Sequence, residues 1–286
     1  MVSKKKSLVS IIINCYNGEK FLNKTLNSVL CQTYKNWEII FWDNKSTDQS
    51  KKIYKSFKDK RFKYFCSKKN CNLYKARKLA LKKCKGEFIA FLDVDDWWFK
   101  DKLKRQILKF SDKKINLVYS QYYNFLEAKQ KISKVFTSNL PEGNIASKLL
   151  VHYKMAILTV IIRKKILKEL NLTFNEKYKI IGDFDLFIKI ASKSKVSCVQ
   201  KPLAAYRMHN ENFTKNNQVV LINELTHWLY SNKKFFKKYD LNELKFTIDY
   251  LKIKQLIFKN DYTRALVQIF YLPCFKRKLK LLAMII

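Results

Sequence analysis

Three carboxylates crowd into Phe91-Leu92-Asp93-Val94-Asp95-Asp96-Trp97-Trp98, directly after an apolar run. The chain carries 59 Lys and Arg against 23 Asp and Glu, so this clustering of acids runs against its composition. Carboxylates so close repel one another unless a cation sits among them, and oxygen ligands suit hard ions such as Mg2+ or Mn2+. A divalent ion held there would neutralise a diphosphate and act as a Lewis acid on a leaving group. A plainer use stands beside this one: Asp95 and Asp96 could cap a following helix.

The elements that must position these groups are read from periodicity. Leu8 to Asn14 is a continuous run rich in β-branched residues, which predicts a strand buried on both faces, and Cys15-Tyr16-Asn17-Gly18 reads as a turn. Phe21, Leu22, Leu26, Val29 and Leu30 recur at helical spacing, and Trp37 to Trp42 forms a second strand ending at Asp43-Asn44. A helix around Thr47 to Phe57, a strand from Phe62 to Cys66, a helix from Leu73 to Lys83 and a strand from Phe88 to Leu92 carry the alternation into Asp93. Strands alternating with helices predict an α/β domain with a mostly parallel sheet and right-handed crossovers. In such sheets ligands bind beyond the carboxyl ends of the strands, so Asn17, Asp43 and Asp93 are expected on one crevice. After about residue 140 the pattern becomes mainly helical, with a helix at Ile145 to Tyr153, a strand at Ala156 to Ile162 and a helix opening at Asp183. Beyond about residue 217 nearly everything reads as amphipathic helix, so the expected division is a domain at 1–216 and a helical extension at 217–286, packed on the domain.

The segments VSIIINCYNGEKFLNKTLNSVLCQTY, EIIFWDNKSTDQS, ARKLALKKCKGEFIAFLDVDDWW and GDFDLF occur in this order and spacing. Together they resemble the family 2 glycosyltransferases of the GT-A fold, over about residues 8–212. The resemblance implies an inverting transfer of sugar from a nucleotide-sugar donor, most often a UDP-sugar, to a glycan or lipid-linked acceptor in cell-surface polysaccharide synthesis. By that resemblance Asp93-Val94-Asp95 binds Mn2+ or Mg2+ and the donor nucleotide, with Asp95 the direct ligand and Asp96 an accompanying acid. Tyr16 and Asn17, at the end of the first strand, and Asp43 would hold the nucleoside, by ring stacking and by a carboxylate accepting an N–H. Packing for Tyr16 and a turn or cap role for Asp43 remain open.

Arg77 matches a position near the donor, where a guanidinium fork suits phosphate oxygens; a salt-bridged surface arginine is the alternative. Around it the family pattern of N-x-G-x-x-x-A-R-N is altered, with Asn72 expected to take glycine's place at a positive φ. Gly182-Asp183-Phe184-Asp185 resembles a segment often reading Glu-Asp-x-Asp, which makes Asp183 the general base and leaves glycine where the first acid is usual. Asp183 is favoured over Asp185, and either could instead cap the helix. Tyr206-Arg207-Met208-His209 resembles a Y-R-x-H segment, in which His209 would bind the metal or the diphosphate.

Two other classes are weighed against an enzyme. A formal charge of +36 would draw the chain to polyanions, yet no nucleic-acid motif accompanies it and the acidic cluster would repel a phosphate backbone. An inactive nucleotide-sugar-binding relative would keep the fold and lose the chemistry, as the glycine at 182 allows. The seven cysteines include no CxxC pair, which argues for reduced thiols in the cytosol and against a zinc site. The basic start, 1–6, leads into an apolar run too short for a signal peptide, and no stretch reaches the ~20 apolar residues of a membrane span. At the far end, Phe270 to Leu282 mixes Lys276, Arg277, Lys278 and Lys280 with apolar residues, the pattern of a segment lying on an anionic membrane surface.

Overall fold

The computed structural model describes residues 7–136 and 138–285; the basic start at 1–6 lies outside them. The chain divides into two compact units, one built from the chain up to Ala146 together with Lys154–Asn210, the other from Ser147–Tyr153 and the chain from Glu211 onward.

The first unit alternates β1 (Val9–Cys15), α1 (Glu19–Leu30), β2 (Trp37–Asp43), α2 (Ser50–Ser56), β3 (Phe62–Cys66), α3 (Leu73–Leu81) and β4 (Phe88–Phe91). There follow β5 (Trp97–Trp98), α4 (Lys102–Lys109), β6 (Ile115–Leu126), β7 (Lys131–Lys134), α5 (Ala146–Val151, most of which falls in the second unit), β8 (Ile161–Arg163), α6 (Lys165–Glu169), α7 (Gly182–Ala191) and β9 (Lys195–Met208). Every residue of β1, β2 and β4 is buried, as their unbroken apolar runs require of strands covered on both faces. Leu22, Thr25, Leu26 and Val29 form the buried stripe of α1. The three apolar ones join one core with Ile11, Ile13, Phe41, Trp37 and Ala90.

The described strands make one sheet of order β3-β2-β1-β4-β8-β6-β9-β5, with β7 beside β6. Its first four strands are parallel, so their carboxyl ends lie on one edge. Beyond β4 the sheet is mixed: β8 is antiparallel to β4 and β6, while β6 and β9 run parallel through a bulged register.

Three sequence expectations are corrected here. The stretch after residue 140 is not mainly helical within this unit, because the 14-residue β9 occupies Lys195–Met208. The strand expected at Ala156 to Ile162 is split: Ile157–Thr159 winds into a 3-10 turn, and the strand begins only at Ile161. Asn72 does not sit at positive φ; with φ −64° it is the N-cap of α3, its side chain accepting from the Lys75 amide. An Asx cap satisfies the helix end without left-handed backbone.

The second unit is helical, with α8 (Phe213–Asn216), α9 (Gln218–Ser231), α10 (Asn242–Phe258), α11 (Tyr262–Tyr271) and α12 (Phe275–Leu282). Ile253, Ile257, Ala265, Ile269, Leu272 and Leu281 form a core of their own among α10, α11 and α12. Among the described residues no helix is long and apolar enough to cross a membrane.

Candidate functional site

Two loops meet at the carboxyl edge of the parallel strands. Asn17 adopts φ 50°, in the left-handed region, and its Oδ1 accepts from the Thr47 amide at 2.9 Å. The Asn17 and Gly18 amides donate to the hydroxyls of Ser46 and Ser50, so the loops after β1 and β2 are tied into one lip. Tyr16 stands on that lip, 55% exposed, with its ring open to solvent. Asp43 is buried below it: Oδ1 accepts from the Ser46 amide at 2.8 Å and Oδ2 from the Tyr64 hydroxyl at 2.5 Å. The turn role foreseen for Asp43 is thus present, and both its oxygens are engaged within the protein.

The acidic loop is held against α1. Thr25 Oγ1 donates to the carbonyls of Val94 and Asp96, at 2.6 and 2.8 Å. A Cβ on Gly18 would come within 2.9 Å of Val94 Cγ2, so the absence of a side chain there lets the loop approach. Neither Asp95 nor Asp96 caps a helix, since the chain passes into β5 and α4 begins only at Lys102.

The three carboxylates have separate surroundings. Asp93 takes both hydrogen bonds from one Arg77 nitrogen, at 2.7 and 2.8 Å. Arg77 is itself buried, an internal ion pair rather than a surface one or an open fork. Asp96 is buried, and its Oδ1 accepts from the Arg207 amide at 2.9 Å. Burial, and then the charges of Asp95 and Asp93, push its carboxyl well above the usual carboxylate range. Asp95 Oδ2 lies 3.0 Å from His209 Nε2, across 114 residues of sequence.

Among the described residues no group of three or more His, Cys, Asp or Glu could hold a metal ion. Asp95 and His209 nevertheless offer an oxygen and an imidazole nitrogen side by side. That pair of donors would suit a divalent transition-metal ion such as Mn2+ shared with a diphosphate, and its oxygen alone would suit Mg2+.

Beyond the Asp93–Arg77 pair lies Asp183, in the first turn of α7. Tyr74 donates to Asp183 Oδ1 at 2.8 Å, and its hydroxyl also lies 2.5 Å from the Ile180 carbonyl. Burial pushes the Asp183 carboxyl above its ordinary range, against the opposing pull of the Arg77 guanidinium and the Tyr74 hydroxyl. Asp183 is half-buried, whereas Asp185 is buried and paired with Lys189 at 2.6 Å. Gly182, where the resemblance leads one to expect an acid, has no room for any side chain: a Cβ would fall 2.5 Å from Tyr74 Cδ1.

Three contributors escape a reading of sequence alone. Tyr74 carries no motif of its own. Thr25 signals itself only as a hydroxyl on an otherwise apolar helix stripe. Arg207 stands inside the Tyr206-Arg207-Met208-His209 segment; its Nε donates to the Asp95 carbonyl, its Nη1 pairs with Glu127, and its guanidinium lies over Phe21 and Trp97.

Acids and an arginine are thus gathered beyond the parallel strand ends of an α/β sheet, the place where such sheets bind ligands, with a half-buried carboxylate joined to them through Tyr74 and Arg77. The chain belongs to glycosyl transferase family 2, whose model matches residues 10–170. It is 37% identical, over 76% of its length and 84% of the relative's, to WfaP of Escherichia coli, a UDP-Glc:alpha-D-GlcNAc-diphosphoundecaprenol beta-1,3-glucosyltransferase. It is 33% identical to an uncharacterised glycosyltransferase of Rickettsia conorii, spanning 96% of this chain but only 47% of that one. Among solved structures, Staphylococcus aureus TarS 1-349 in complex with UDP-GlcNAc superposes with a TM-score of 0.61 at 22% identity, covering 85% of this chain and 70% of that one; the likeness shows the fold.

Proposed function

We propose that the chain transfers a sugar, with inversion, from a UDP-sugar to a hydroxyl of a lipid-linked or glycan acceptor in cell-surface polysaccharide synthesis. The observation that carries this reading is the gathering, beside one acidic loop, of the His209–Asp95 pair and of the chain of contacts from Asp93 through Arg77 and Tyr74 to Asp183. It joins a place for the donor's diphosphate to a place for a base. The acceptor class rests on the names of relatives such as WfaP and WfgD of Escherichia coli, both acting on a diphosphoundecaprenol-linked sugar.

Tyr16 stacks on the base, Asn17 and the lip it braces approach the nucleoside, and Asp43 fixes the floor beneath them. Asp93, Val94 and Asp95 line the diphosphate, with Arg77 holding Asp93 in place. Asp95 and His209 would hold a Mn2+ or Mg2+ ion, which when bound offsets the charge that grows on the departing diphosphate. Asp183 takes the proton of the acceptor hydroxyl as that oxygen attacks the anomeric carbon, and the single displacement inverts it. A half-buried carboxylate raised above its ordinary pKa range is a better match to that task than a fully hydrated one. The enzyme works as a peripheral protein on an anionic membrane face, where a lipid-linked acceptor lies within reach.

The test is a thermal-shift panel of UDP, GDP and dTDP with and without Mn2+, followed by transfer from the matching nucleotide sugar. UDP at a hundredfold excess over its Kd should add roughly 2.7 kcal/mol of stability. Stabilisation by none of the three would overturn the donor reading.

A further inference from the structure

Tyr74 and Gly182 meet more closely than any side chain at 182 would allow. The Cβ position of Gly182 lies 2.5, 2.6 and 2.7 Å from Cδ1, Cγ and Cδ2 of the Tyr74 ring. No positive φ is found at Gly182, so the backbone angles would accept alanine, and the three atoms nearest its Cβ position all belong to the Tyr74 ring. Tyr74 is itself buried, and its single hydroxyl proton has two acceptors in range, the Ile180 carbonyl at 2.5 Å and Asp183 Oδ1 at 2.8 Å.

We infer that Tyr74 is a positioning residue for the base, seated by the missing side chain at Gly182 and able to serve Asp183 both before and after it takes up a proton. The inference rests on Asp183 being the base. While Asp183 is ionised, the phenol donates to Oδ1 and fixes the carboxylate. As the acceptor oxygen bonds to the anomeric carbon, the bond from that carbon to the diphosphate oxygen breaks, the diphosphate leaves with the bonding pair, and the acceptor's proton passes to Asp183. The proton lands on the side of the carboxyl that faces the acceptor, and the phenol either keeps its bond to Oδ1 or turns its proton to the Ile180 carbonyl. No buried donor or acceptor of the pair is stranded in either state. The groups that face Asp183 are Tyr74 and Arg77 from α3 and the amides of Asp183 and Phe184 in the first turn of α7. Burial, followed by the Asp183 charge, raises the Tyr74 hydroxyl well above its usual range, so it remains a donor at neutral pH.

Tyr74→Phe keeps the ring and removes the hydroxyl. With UDP-glucose and a GlcNAc-diphospho-lipid as probes, kcat should fall about tenfold with donor KM unchanged, and the acid limb of the kcat–pH profile should move to higher pH. The upward shift follows because the lost hydrogen bond favoured the ionised carboxylate. A structural hydroxyl would leave that limb in place. If Asp183→Asn loses transfer while Tyr74→Phe keeps the wild-type rate and pH limb, the positioning role is overturned and the base assignment stands. If Asp183→Asn transfers normally, the base assignment itself is overturned.

Thermal melts of the full chain test the pair without any acceptor. The Tm cost of Tyr74→Phe should grow as pH rises and Asp183 ionises, above the ordinary carboxylate range, and should lose that pH dependence in an Asp183→Asn background. A cost that is the same at every pH overturns the proposal. Gly182→Ala should lower Tm in the wild-type chain, contrary to helix propensity, and should cease to do so when Tyr74 is replaced by alanine. A Gly182→Ala protein as stable as wild type overturns the seating.

Discussion

Asp183 and Asp185 lie two residues apart on one helix, yet their surroundings differ, one half-buried beside Tyr74 and the other buried beside Lys189. Asp185 is buried against Lys189, and replacing it by Asn should cost about 1–3 kcal/mol of stability, the scale for stranding one partner of a buried pair that still reaches some water. A denaturation midpoint equal to wild type would contradict this. Asp183→Asn should instead lower kcat by about 10²-fold while nucleotide affinity measured by calorimetry stays within twofold. The pH dependence has a definite sign. A base works only when ionised and burial raises this carboxyl, so kcat should climb with pH through a value above the ordinary carboxylate range and then level. A flat profile from pH 4 upward would remove Asp183 from the titration. At the donor end, Asp95→Asn removes the charged oxygen beside His209 and should abolish Mn2+-dependent UDP binding. Unchanged calorimetric affinity in the presence of Mn2+ would sink the metal assignment. Nearly all of these residues were visible in sequence because acids stand out in a basic chain and their spacing matched a known pattern. Tyr74 was not, because a tyrosine inside an amphipathic helix looks like core until the partner 109 residues away is placed beside it.

Among the elements, the last two helices carry the strongest surface signal. On α11 and α12, Phe270, Tyr271 and Phe275 are 75%, 78% and 71% exposed, while Ala265, Ile269 and Leu281 face inward. Lys276, Lys278 and Lys280 flank them, a mixture that suits the interface of an anionic bilayer. Truncation after Pro273 removes α12 and should weaken sedimentation with phosphatidylglycerol vesicles while leaving phosphatidylcholine vesicles unaffected; equal sedimentation of full and shortened chains would refute it. The parallel half of the sheet was legible from β1 to β4 because both faces are buried and the apolar runs are unbroken. The far half was hidden for physical reasons. The β6–β9 register shifts near Ser120 and Gln121, where Gln200 and Lys201 fall unpaired between Val199 and Pro202, so no single alternation of inward and outward residues survives along either strand. The crossover between them also contains α7, whose clear helical pattern drew the whole region toward helix.

For the molecule as a whole, the charge of +36 acts on association rather than on fold. Vesicle binding by the intact chain should weaken as salt rises from about 0.05 to about 0.5 M, since the screening length falls several-fold over that range; salt-independent binding would shift the credit to the exposed aromatic rings alone. The long sequence separations within the site have a temporal meaning. Asp95 meets His209 across 114 residues, and Asp96 meets Arg207 across 111. At ordinary translation speeds, roughly 6–20 s pass between the synthesis of the acidic loop and that of its histidine. Throughout that interval a growing chain bears Asp95 and Asp96 without His209 and Arg207, and only the docking of β9 as a late strand brings them together. A ribosome-stalled or truncated product ending before residue 209 therefore cannot sequester or waste the cell's activated sugar by way of this pair. On the proposed reading, diphosphate capture through this pair waits for β9, and metal-dependent protection from proteolysis by UDP should appear only in chains that extend past residue 209.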